Sequence, residues 1–84
     1  MKNMENLSII IEEINKISLF HKKTIAFNQS QTAELLGVSS STLENWRREG
    51  IGIEYIKAGN GKRGRILYPK IKIAEYLSRT IKVA

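Results

Sequence analysis

Leu7, Ile10, Ile14 and Ile17 step by three, four and three residues, which places them in one stripe along a helix. The pattern predicts an amphipathic helix over residues 4–20, with Glu12, Glu13, Asn15 and Lys16 on the other side and Ile9 and Ile11 broadening the stripe. A coiled coil needs about three or four heptads of such a pattern, and this stripe covers about two. It serves either the chain's own core or a second subunit, and the sequence leaves both uses open. His21-Lys22-Lys23 then puts positive charge at the carbonyl end of the helix, where the dipole favours it. Thr24 to Phe27 is a short β-prone run, read as a strand or an extended connector.

From Asn28 to Gly50 the chain reads NQSQTAELLGVSSSTLENWRREG. Asn28 and Gln31 stand three apart, as in a capping box, and predict a helix over residues 29–36. Gly37 supplies the left-handed backbone of an abrupt helix end. Ser39 is placed to cap a second helix over residues 40–49, which stops at Gly50. Relative to the small Ala33, the glycine, Leu43 and Trp46 lie four, ten and thirteen positions on, the spacing of a helix-turn-helix. Turning Leu43 and Trp46 inward turns Ser41, Asn45 and Arg48 outward, with Ser40 and Glu44 beside them. Arg47 falls at the edge of the buried stripe and can lean either way.

After the glycine-rich break at Gly50 and Gly52, residues 55–57 and 65–68 read as two strands around the loop Gly59-Asn60-Gly61-Lys62-Arg63-Gly64. They predict a β-hairpin with a basic tip. From Lys57 to Lys72, both included, there are six Lys or Arg and no acidic residue. Pro69 is expected to open a last helix, where its missing N–H costs nothing, with Ile73, Tyr76, Leu77 and Ile81 as its buried face.

Charge and composition change this picture only in part. The 84 residues carry a formal net charge of +6, and residues 1–29 contribute only four Lys against three Glu. The excess therefore lies in the part that holds the two motif helices and the hairpin, which suits a polyanionic partner. There is no cysteine, one histidine and no aspartate. That leaves no disulfide, no metal-ligand spacing and no acid–base pair for catalysis, so neither an enzyme nor a cofactor or metal site is expected. The loop is not a phosphate-binding P-loop, because Arg63 follows Gly61-Lys62 where Ser or Thr is required. With no apolar run near the ~18 residues of a membrane span and nothing like a signal peptide, a cytoplasmic, nucleoid-associated protein is expected.

AELLGVSSSTLENWRREG at 33–50, YIKAGNGKRGRILYP at 55–69 and the helix containing Ala74-Glu75-Tyr76-Leu77 resemble the MerR-like winged helix-turn-helix of the excisionase and AlpA-type prophage regulators. The resemblance covers residues 27 to about 79. It implies a mainly α domain with a small β-hairpin at 24–84, preceded by an extra amphipathic helix at 1–23 that the minimal family domain lacks. It also implies a double-stranded DNA partner, with the helix at 40–49 in the major groove and the wing at 58–66 on the backbone or minor groove. The positions matching the family's recognition surface are Ser40, Ser41, Glu44, Asn45 and Arg48, with Arg63 and Arg65 in the wing.

Their chemistry suits those roles. An Arg48 fork matches guanine O6 and N7, Asn45 matches adenine, and Glu44 can accept from a cytosine amino group or repel phosphate. Ser40 and Ser41 stand at a helix start, where free N–H groups attract phosphate, and Lys62, Arg63 and Arg65 offer sequence-independent attraction. A small transcriptional regulator of a prophage or mobile element is the expected role. The alternatives are an excisionase-type architectural factor and a winged-helix protein-interaction module. A homodimer or cooperative assembly on DNA through the N-terminal helix is the expected protein partner.

Overall fold

The computed structural model describes residues 2–59 and 64–80. In chain order these form α1 (Lys2–Ile17), α2 (Leu19–Lys23), β1 (Ala26–Asn28), α3 (Gln29–Leu36), α4 (Ser40–Glu49), β2 (Ile56–Ala58), β3 (Arg65–Pro69) and α5 (Lys70–Thr80). The first helix does not run on to Phe20. Ser18 takes extended backbone, and its Oγ accepts from the His21 N–H at 3.2 Å. A serine that offers its own oxygen to a following N–H competes with the helical bond and starts a new helix instead. The basic His21-Lys22-Lys23 therefore closes α2 rather than α1. His21 is half-buried, its ring 5.5 Å from that of Phe27.

The connector before α3 is a strand, and the hairpin expected from the sequence is part of a three-stranded antiparallel sheet ordered β1-β3-β2. Phe27 stands opposite Tyr68, and Ile56, Lys57 and Ala58 stand opposite Leu67, Ile66 and Arg65. Tyr55 lies just outside β2, one residue short of the expected strand. Pro69 ends β3 instead of opening α5. Proline has no N–H to offer a ladder, and Pro69 stands at the last position of its strand. The next N–H, from Lys70, takes up the pairing by donating to the Ile25 carbonyl at 2.7 Å.

One core joins these layers. Phe27 and Tyr68 are buried side by side on the sheet, and Ile14, Ala33, Leu43, Ile53 and Ile73 pack into the same cluster. Each large apolar side chain so buried contributes roughly 1.5–3 kcal/mol relative to exposure. Ile14 comes from α1, which lies against α5, so Ile10 and Ile14 of the N-terminal stripe pack on the chain's own core while Ile17 stays exposed. Lys70 fastens the same junction: its Nζ donates to Asn15 Oδ1 at 2.6 Å and to the Lys22 carbonyl at 3.3 Å. Burial pushes its ammonium below the ordinary lysine value. Lys72 is held above that value by Glu75 and Glu54, whose carboxylates lie 3.2 and 3.5 Å away. Ile73 is buried and Tyr76 and Leu77 pack on the core as the sequence pattern requires, while Ile81 lies outside the described residues. The whole is a winged helix-turn-helix preceded by a helical extension.

Local chemistry sets the helix-turn-helix corner. Asn28 Oδ1 accepts from Gln31 N at 2.7 Å and Gln31 Oε1 accepts from Asn28 N at 3.0 Å, a complete capping box. Asn28→Ala is expected to cost about 1 kcal/mol, lowering the melting temperature by about 4–8 °C in a domain of this size. Gly37 ends α3 at φ 76°, and a Cβ there would meet nothing within 4 Å. Gly52 has φ 90°, and a Cβ there would lie 2.9 Å from Trp46 Cε3 and 3.0 Å from Trp46 Cβ. Gly37→Ala should cost only the left-handed strain of about 1–2 kcal/mol. Gly52→Ala should cost distinctly more, because it adds a clash with a ring held in the core. Urea titrations of the two variants check the order.

Candidate nucleic-acid interface

Helix α4 is divided lengthwise by burial. Leu43 is 1% exposed, and Trp46 is half-buried against the core, its ring 5.7 Å from that of Tyr76. This anchoring fixes the rotation of α4 about its own axis. Ser40, Ser41, Glu44, Asn45 and Arg48 are consequently all exposed. Ser41, Asn45 and Arg48 follow at intervals of four and three residues, so they share one face.

Within that face three of the five residues are linked. Arg48 Nη2 lies 3.0 Å from Glu44 Oε2, and Arg48 Nη1 donates to Asn45 Oδ1 at 3.4 Å. Both partners of the ion pair are well exposed, so the pair contributes only ~0.3–0.5 kcal/mol and releases Arg48 at little cost. At the other end Ser39 caps the helix. Its Oγ accepts from Thr42 N at 3.1 Å and lies 3.0 Å from Ser41 Oγ. The first-turn N–H groups of Ser40 and Ser41 have no carbonyl four residues back inside the helix, which makes this end attractive to an anion.

The wing contributes Arg65, exposed at the start of β3 and opposite Ala58. Alternation along β3 puts Arg65 and Leu67 on the face opposite Ile66 and Tyr68. Among the described residues no hydrogen bond or ion pair joins Arg65 to the α4 residues. Lys62 and Arg63, the other wing candidates, lie outside the described residues.

Arg47, which the spacing leaves undecided, leans inward. Its Nη1 donates to Gln29 Oε1 and, at 2.9 Å, to Tyr68 Oη, and its Cζ lies 5.8 Å from the centre of the Tyr55 ring. Gln29 in turn donates from Nε2 to the Ser40 carbonyl at 3.1 Å. None of these partners could be read from spacing, because they stand 8 to 21 residues apart and lie on different elements or in the connection before β2. The sole sequence signal was the position of Arg47 at the border of the buried stripe. Among the described residues there is no group of His, Cys, Asp or Glu arranged to hold a metal ion, and no helix is long and apolar enough to cross a membrane.

A protein-family model described as Helix-turn-helix domain matches residues 27–80. Comparison with curated proteins and with solved structures finds no match. The matched stretch runs from β1 through α5 and includes every candidate contact residue, leaving α1 and α2 outside it. It is well over half of the chain, and the chain therefore belongs to this family of helix-turn-helix domains, of the excisionase and AlpA-like kind.

Proposed function

We propose that this chain binds double-stranded DNA sequence-specifically, with α4 in the major groove and the wing at 58–66 on the neighbouring backbone or minor groove. The observation that carries this reading is the exposed face of Ser40, Ser41, Glu44, Asn45 and Arg48 behind the buried Leu43. An α-helix fits the major groove, and a guanidinium fork and a carboxamide are the groups that read guanine and adenine there. Glu44 has a double part: it holds Arg48 in the free protein, and it disfavours phosphate close to the middle of the helix. Ser40, Ser41, Lys62, Arg63 and Arg65 supply contacts to phosphate, which position the protein without carrying sequence information. The role that fits is a small transcriptional regulator of a prophage or mobile element, as the excisionase and AlpA resemblance implies.

A single module of this kind covers only about 600–1,000 Å² of protein surface on DNA. Selective binding then draws on a second copy, on a half-site about one helical turn away. Ile17, Leu19 and Phe20 of the N-terminal helices, with Ile25 in the connector after them, are all at least half exposed and are the apolar positions offered to that copy.

Selection of bound sites from random duplex DNA should return a defined motif, repeated or inverted, and recovery of unrelated sequences would falsify the reading. On the selected site Arg48→Ala should weaken binding about 5- to 150-fold and relax preference at one base pair, the worth of one bidentate contact. Its effect on thermal stability should be slight, because the pair with Glu44 is exposed. Arg65→Ala should instead weaken binding to all sequences alike and reduce the slope of log affinity against log salt by about 0.9. Titrations at several salt concentrations separate the two behaviours.

A further inference from the structure

Arg47 is the one basic residue of α4 that turns away from solvent, and the partners of its guanidinium all come from outside α4. Its guanidinium reaches Gln29 at the start of α3, Tyr68 in the central strand and the ring of Tyr55 just before β2. The backbone of α4 packs mainly against α3. Among the described residues, the bond from Arg47 to Tyr68 is the hydrogen bond that joins α4 directly to the sheet. The Gln29 carboxamide is held at both ends, accepting from Arg47 and donating to the Ser40 carbonyl. One chain of bonds therefore runs from β3 through Arg47 and Gln29 to the first residue of α4.

We propose that Arg47, with Gln29 and Tyr68, is a positioning residue for DNA recognition: it locks the tilt of α4 against the strand that carries the wing. This rests on the DNA-binding reading above and deepens it. Apolar packing through Leu43 and Trp46 fixes which face of α4 is outward, but such contacts are non-directional. Charge-assisted hydrogen bonds have a preferred direction and length, and a planar guanidinium constrains them further. Base readout needs α4 and the wing to meet their groove and backbone at the same moment. A tilt of α4 relative to β3 spoils that match without removing any phosphate-binding group.

The decisive variant is Tyr68→Phe. Tyr68 is 1% exposed, so it cannot touch a duplex, and the change removes one oxygen while keeping the ring in the core. Tyr68→Phe and Arg47→Met should lower affinity for the selected site about tenfold, the scale of one lost base contact. Affinity for unrelated duplex should stay within about twofold and the salt slope should not change, because no phosphate contact is lost. A wild-type affinity for the selected site in both variants overturns the proposal. So does a salt slope lower by about 0.9 in Arg47→Met, which would make Arg47 a phosphate ligand. If Arg47→Met does not fold, Tyr68→Phe carries the test alone. Residual dipolar couplings of the free protein give a reading that needs no DNA: the α4 amides should reorient relative to those of β3 in Tyr68→Phe, and an unchanged orientation overturns the proposal. A wild-type chain that selects no DNA site sinks the DNA-binding reading, whereas a wild-type chain that selects one while Tyr68→Phe leaves α4 unmoved sinks only the lock.

Discussion

Burial of Leu43, with Trp46 pressed between Gly52 and Tyr76, decides the rotation of α4 and with it everything that this surface can present. A helix has one freedom about its axis that backbone hydrogen bonds do not restrict. Hydrophobic burial removes that freedom, because any other rotation would expose an indole and a leucine side chain to water. The polar residues of α4 then have no alternative but to face outward together. Gly52 belongs to the same constraint, since its missing side chain is the space that Trp46 occupies.

The sheet gives that corner its foundation. β1, only three residues long, ends at the residue that caps α3, so strand and helix share Asn28. Phe27 on one side of Asn28 is buried against Tyr68, while the Asn28 side chain and N–H complete the capping box. The start of the helix-turn-helix is thus pinned to the strand that also carries the wing. Tyr68 serves both layers: its ring fills the core and its hydroxyl accepts from Arg47. No buried side-chain N or O among the described residues lacks a hydrogen-bond partner, as expected where polar groups are shared between elements.

The basic residues of α4 divide by environment rather than by type. Arg47 and Arg48 are adjacent in the chain, yet one is half-buried among Gln29, Tyr68 and Tyr55 while the other lies exposed beside Glu44. A turn of about 100° between neighbours on a helix accounts for the difference. Arg48 is held loosely, in a weak surface pair with Glu44. Arg47 is held tightly and already has its partners.

Periodicity and capping were sufficient for the local structure. The steps among Leu7, Ile10, Ile14 and Ile17 mark α1, Asn28 with Gln31 marks the start of α3, and Gly37 with Ser39 brackets the turn, because each signal acts over four residues or fewer. The outward set on α4 was legible for the same reason, once Leu43 and Trp46 were assigned inward. What acts at long range was not legible. One local feature escaped as well: at Ser18 a serine oxygen wins the competition for the His21 N–H, which hydrophobic periodicity does not record. The third strand depends on β1 finding β3 some forty residues away. Pro69 is claimed by the ladder rather than by α5. Arg47 depends on three residues that only folding brings near. The sequence by itself determined α1, α3, α4 and α5 to within a few residues and the apolar side of α1, α4 and α5, since those follow from the 3.6-residue repeat and from caps. Only the tertiary structure decided that α1 packs on α5 and that Arg47 joins α4 to the sheet, because directional contacts between distant segments leave no periodic trace in the chain.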